Sequence, residues 1–185
     1  MTKRNDTFEL GGINHLALVC QDMARTVDFY SGVLGMPLVK TIDLPMGMGQ
    51  HFFFDCGGGD CVAFFHFPDA PAAAPGVSSA AGLPGAADFT TAHASMNHVA
   101  FDVPPDRFDE YVAALQAAGV ETSEVSNHDD GEWTVSAELH EGVYLRSVYF
   151  FDPDGILLEF ACWTRPLGDA DALVAPTRST DGSQG

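Results

Sequence analysis

Residues 13–35, INHLALVCQDMARTVDFYSGVLG, decide the fold, because their order of elements recurs at residues 96–119, MNHVAFDVPPDRFDEYVAALQAAG. In the first stretch INHLALVC reads as a strand. Met23, Val27, Tyr30 and Leu34 then share one face of a helix that Gly35 ends. In the second, MNHVAFDV reads as a strand and Pro starts a helix. Its Phe108, Tyr111, Val112 and Leu115 share a face before Gly119.

Working outward, MPLVKTIDL, GQHFFFDCGG and DCVAFFHF follow the first helix as strand candidates, rich in aromatic or β-branched residues and divided by Gly or Pro. After the second helix, strands are expected in VETSEVSNH, GEWTVSAELH, YLRSVYFFD and GILLEFACW, with DPDG as a turn. The expected fold class is α+β: two βαβββ modules paired by pseudo-twofold symmetry into a curved, barrel-like mixed sheet enclosing a metal site. A single domain is expected over residues 1–167, with module 1 at about 11–67 and module 2 at about 95–165. Pro, Ala, Gly and Ser dominate the intervening 68–94, which reads as a linker, and the polar 168–185 reads as a flexible tail.

With 8 Lys and Arg against 26 Asp and Glu, the formal charge of -18 repels nucleic-acid phosphates and anionic membranes. No apolar run approaches the roughly 20 residues that span a bilayer, and MTKRNDTFEL lacks the apolar stretch of a secretory signal. A cytoplasmic protein is therefore expected. Cys20, Cys56, Cys61 and Cys162 form no CxxC pair and read as reduced thiols.

The repeat also carries the chemistry. INHLAL and MNHVAF place His15 and His98 at the same point of equivalent strands, so a pseudo-twofold pairing would converge the two imidazoles. Glu159 interrupts the otherwise apolar GILLEFACW, where a bare carboxylate would cost several kcal/mol unless paired or bound to a cation. Two imidazoles and one carboxylate suit Fe(II), with Mn(II) the usual substitute; Zn(II), Ni(II) and Co(II) also accept such donors. Aligning DCVAFFHF with GILLEFAC puts Phe64 opposite Glu159, so the expected site has three ligands rather than four.

With these residues in place, the sequence resembles the vicinal oxygen chelate superfamily, which includes glyoxalase I, methylmalonyl-CoA epimerase, fosfomycin resistance proteins and type I extradiol catechol dioxygenases. The resemblance covers roughly residues 11–165. HEGVYLRSVYFFDPDGILLE (140–159) is similar to the extradiol signature, with His140, Val148, Tyr149, Asp152, Pro153, Gly155 and Glu159 in its places and Glu138 as a departure just before it. DLPMGMGQHFFFDCGGGDCVAFFHFP (43–68) also resembles the catalytic half of those enzymes. Asp60, or Gly59 if the gap is moved, stands where they carry an acid-base His.

The resemblance implies extradiol cleavage of a small aromatic diol by Fe(II) and dioxygen. Tyr149 would bind a substrate oxygen, His140 would orient or protonate the ring substituent, and Asp60 would take the acid-base place. Phe52, Phe54 and Trp163 would wall an aromatic pocket. Two alternatives stand beside it: a metal-dependent isomerase, epimerase or lyase, and a non-catalytic binding protein of the resistance type. A small-molecule substrate and a homodimer are the expected partners.

Overall fold

A computed structural model describes residue 7 and residues 11–86 and 89–176. The end of the expected tail, 177–185, lies outside the described residues.

The first half opens with β1 (His15–Cys20) and α1 (Met23–Val27). Asp22 caps the helix by accepting the Arg25 N–H at 3.1 Å. The expected α-helix then widens into a π-helical stretch, Asp28–Val33. That wider turn turns consecutive Phe29 and Tyr30 inward together, at 9% and 0% exposure. β2 (Leu38–Asp43), β3 (Gln50–Gly57) and β4 (Asp60–His66) complete a four-stranded sheet in the order β1-β4-β3-β2. β1 runs parallel to β4, and β2, β3 and β4 pair antiparallel.

The second half repeats this plan with β5 (Val99–Asp102), α2 (Phe108–Ala117), β6 (Ser126–His128), β7 (Val135–Ser136), β8 (Leu145–Phe151) and β9 (Leu157–Trp163). Their order is β5-β9-β8-β6-β7, and β5 is again parallel to the last strand. The strands expected in VETSEVSNH and GEWTVSAELH shrink to three residues and two. Thr134 sits at φ 58°, a left-handed conformation that interrupts a ladder, and the polar residues around it have no apolar face to bury.

The two mixed sheets stay open, and no barrel closes among the described residues. What joins the halves is side-chain packing rather than a strand ladder. Tyr30, Phe54 and Phe64 from the first half share one buried cluster with Leu115, Phe150 and Leu158 from the second. The predicted DPDG turn also docks on the first helix: Tyr30 Oη donates to Asp152 at 3.3 Å, and Arg25 pairs with Asp154. The halves therefore meet through their helix-bearing faces. Strand alternation turns the opposite faces outward, and His15, Ala17 and Val19 are all exposed.

The linker is more than a tether. Ala80, 2% exposed, and Leu83 pack on Tyr149 and Leu157, covering part of the outward face of β8 and β9. Among the described residues no helix is long and apolar enough to cross a membrane.

Candidate metal centre

The parallel register of β5 and β9 sets Ala100 beside Glu159, and antiparallel β8 sets Tyr149 on the other side of Glu159. His98, immediately before β5, brings Nε2 to 3.0 Å from Glu159 Oε2. Ser147, two residues before Tyr149 and fully buried, donates its hydroxyl to Oε1. Both carboxylate oxygens thus have partners although Glu159 is only 3% exposed. Burial pushes this carboxyl's pKa up, but the hydrogen bonds from His98 and Ser147 outweigh that and hold it below the usual value. Tyr149 meets the His98 ring edge-on at 5.8 Å. Burial first, and then the Glu159 charge, push the phenol up to about 12, so it remains a hydrogen-bond donor at neutral pH.

An imidazole and a carboxylate are two of the donors a divalent ion takes. A nitrogen and an oxygen each about 2.1 Å from one ion, at right angles, lie about 3 Å apart. His98 and Glu159 have that spacing.

His15 is not brought to this pair. It lies on the first sheet, with Nδ1 2.8 Å from Asn14 Oδ1 and its ring edge-on to Phe53 at 5.5 Å. Among the described residues, no three His, Cys, Asp or Glu side chains gather closely enough to hold a metal ion. Register also corrects the equivalence drawn from the sequence. Ala17 pairs with Ala63 as Ala100 pairs with Glu159, so Ala63 rather than Phe64 matches Glu159. Phe64 is fully buried in the core. The first half supplies no carboxylate at that position on either alignment.

The remaining candidates divide by strand parity. Cys61 pairs with His15, so Asp60, one residue earlier, points its side chain to the other face of the sheet. Phe52 and Phe54, expected to wall a pocket, instead pack into the core beside Tyr30 and Phe64. This is a correction, because a run of three Phe satisfies either parity. Phe53 shares the His15 face with His51 and Phe65, and His51 stacks on Phe65 at 3.6 Å. Trp163 shares the outward face of β9 with Glu159 and is 49% exposed.

His140 has both ring nitrogens engaged: Nδ1 accepts the Gly142 N–H at 3.1 Å and Nε2 lies 3.0 Å from Asp129 Oδ2. Among the described residues, its hydrogen bonds run to Asp129 and Gly142 rather than to His98 or Glu159.

Sequence reasoning missed Ser147 and the two Asn residues beside the candidate ligands, although the shared dipeptide Asn-His was a signal for the latter. It also assigned nothing to His128, which stands in register with Leu145 and keeps a buried Nε2 without a hydrogen-bond partner. Burial lowers the His128 pKa, against the opposing charges of Glu159 and Asp129.

A sequence profile of the Glyoxalase/Bleomycin resistance protein/Dioxygenase superfamily matches residues 12–160, which include all three candidate ligands. The chain belongs to that superfamily. Among relatives of this superfamily member is a 4-hydroxyphenylpyruvate dioxygenase from Daucus carota, 27% identical over 160 residues. Those residues are 84% of this chain but 36% of the relative, so the chain spans about a third of that protein's length. A glyoxalase family protein from Enterococcus faecalis is similar at TM-score 0.56 and 23% identity, over 82% of this chain and 97% of that one. The fosfomycin resistance protein FosX from Listeria monocytogenes, complexed with Mn(II) and sulfate, is similar at TM-score 0.54 and 18% identity, over 84% and 95%. At these identities the likeness to the solved structures is one of fold.

Proposed function

We propose that this superfamily member is a metal-dependent enzyme whose cation is held by His98, Glu159 and a His15 supplied by a second copy of the chain. The observation that carries the reading is the His98–Glu159 pair, an imidazole and a buried carboxylate 3.0 Å apart on the outward face of the second sheet. His15 stands exposed on the outward face of the first sheet, while the backs of both sheets share one core. A homodimer that lays the first sheet of one copy against the second sheet of the other joins the two half-sites.

The reaction we favour is Fe(II)-dependent oxygenation of a small aromatic diol. It is supported by the 140–159 signature and by the distant dioxygenase relative. When bound, the metal would supply a template for two neighbouring substrate oxygens and neutralise their charge. Tyr149, kept protonated, would donate to one of those oxygens. Phe53, Phe65 and Trp163 would flank the ring. Oxygen uptake by protein reconstituted with Fe(II) under anaerobic conditions, then offered a panel of catechols, tests this reading; no uptake with any catechol would refute the ring-cleaving assignment.

A redox-neutral reading has one observation in its favour. Asp60 points away from the His15 face and His140 is occupied by Asp129 and Gly142, so neither stands ready as the ring-cleaving acid-base group. An isomerase or lyase acting on a substrate with two vicinal oxygens would need neither. Turnover with Mn(II) or Zn(II) and without oxygen consumption separates the two.

A further inference from the structure

Asn97 touches both His98 and the segment that crosses between the halves. Its Nδ2 donates to the Phe89 carbonyl at 2.7 Å and lies 3.5 Å from Thr91 Oγ1, while its Oδ1 is 2.8 Å from His98 Nδ1. A carbonyl can only accept, so the end of the amide facing Phe89 is the NH2. The other end is therefore the oxygen, which also only accepts, and His98 Nδ1 must carry a proton. The other ring nitrogen, Nε2, is directed at Glu159, and with no cation bound its N–H donates to the carboxylate.

The Asn14–His15 pair repeats the 2.8 Å contact in the first half. Among the described residues, the second-half Asn is the one drawn into the crossing segment. That segment is anchored further by the Ala92 N–H donating to Val77 O at 3.2 Å, and by Ala80 and Leu83 packed on Tyr149 and Leu157. The segment expected to be a plain linker thus reaches the candidate centre twice, at Tyr149 through packing and at His98 through Asn97.

We propose that Asn97 is a positioning residue: one end of its amide holds the Nδ1–H and the ring plane of His98, and the other ties residues 89–91 to it. The proposal rests on the metal-centre reading for its consequence, because an imidazole held by its far nitrogen presents the near one to a cation with little freedom left to lose. Removing such partners of a ligating His typically weakens metal binding by about 10- to 100-fold.

The experiment compares the parent, Asn97→Ala and Asn97→Asp as full-length proteins. Ring nitrogen shifts of His98 are read by NMR without metal, and Mn(II) affinity is then measured by titration. The parent should show an Nδ1–H hydrogen-bonded to Asn97. Asn97→Ala should lose that hydrogen bond and bind Mn(II) about 10- to 100-fold more weakly. Asn97→Asp keeps an acceptor against Nδ1 but loses the donor toward Phe89. It should retain the Nδ1–H hydrogen bond, recover most of the Mn(II) affinity and show faster amide exchange around residues 89–91. An Asn97→Ala protein with parental ring shifts and parental affinity would overturn the proposal, and unchanged exchange in Asn97→Asp would overturn the tie to the segment. If the parent takes up no Mn(II), the metal reading fails, and the ring shifts still decide what Asn97 does.

Discussion

If each centre takes His98 and Glu159 from one copy and His15 from another, two inactive variants must rescue one another. His15→Ala spoils the first-sheet contribution and His98→Ala the second, so neither protein alone should hold the ion. Mixed in equal amounts, unfolded and refolded together, the chains pair at random and half of the dimers are mixed. In a mixed dimer the His15→Ala chain offers an intact His98 and Glu159 that meet the intact His15 of the other chain; the opposite centre lacks both imidazoles. One centre in two is thus restored in half of the dimers, or about a quarter of the parental sites.

Tight Mn(II) per chain, measured by titration, reads this number directly. His98→Ala also strips Glu159 of a buried partner, at a cost of about 1 to 3 kcal/mol. Circular dichroism of each refolded variant is therefore the necessary control. A mixture that binds no more Mn(II) than the separate variants would refute the shared centre, because a site built within one chain cannot be restored by pairing.

Asp152 gives a pH-dependent test of the packing between the halves. Burial pushes its carboxyl up to about 6, so stability should fall as pH rises from about 4 to about 6 and the deficit, at most about 3 kcal/mol, should be complete above that. Asp152→Asn keeps the Oδ1 acceptor used by the Asp154 and Ile156 N–H groups at 2.8 Å. Urea unfolding should find it more stable than the parent at pH 8, with the advantage gone near pH 3.5; a pH-independent difference would sink this. Gly49 has φ 130°, and a Cβ there would lie 1.8 Å from the His66 carbonyl oxygen. Gly49→Ala should accordingly lose at least about 2 kcal/mol of stability, and an unshifted urea midpoint would count against the close approach. Ser147→Ala removes the donor to Glu159 Oε1 and should weaken Mn(II) binding about tenfold, with unchanged affinity as the contrary result.

Much of the architecture was legible because the repeat is written twice. The Asn-His strands, the Pro before α2, the Gly that ends each helix and the DPDG turn all have local physical causes, and each matches an element described above. Parity in the Phe52-Phe53-Phe54 run was not legible, because both faces of that strand take aromatic rings and alternation gives no preference. The one-residue slip that matched Phe64 to Glu159 has the same origin in an unbroken apolar strand. The π-helical turn and the two-residue β7 were hidden because tertiary packing and a left-handed Thr134, rather than propensity, define them. The meeting of His98 with Glu159 follows from a parallel register that the repeat implies. The separation of His15 depends on which faces of the two sheets pack together, and single-strand periodicity is blind to that.

The fully buried core between the halves has an evolutionary consequence. Along β4, β8 and β9, residues packed in the buried cores alternate with residues on the outward face. Outward positions that the crossing segment leaves uncovered, such as His15 and Trp163, can therefore be rewritten for new chemistry while their inward neighbours go on holding the molecule together, which lets such a scaffold change trade without changing shape.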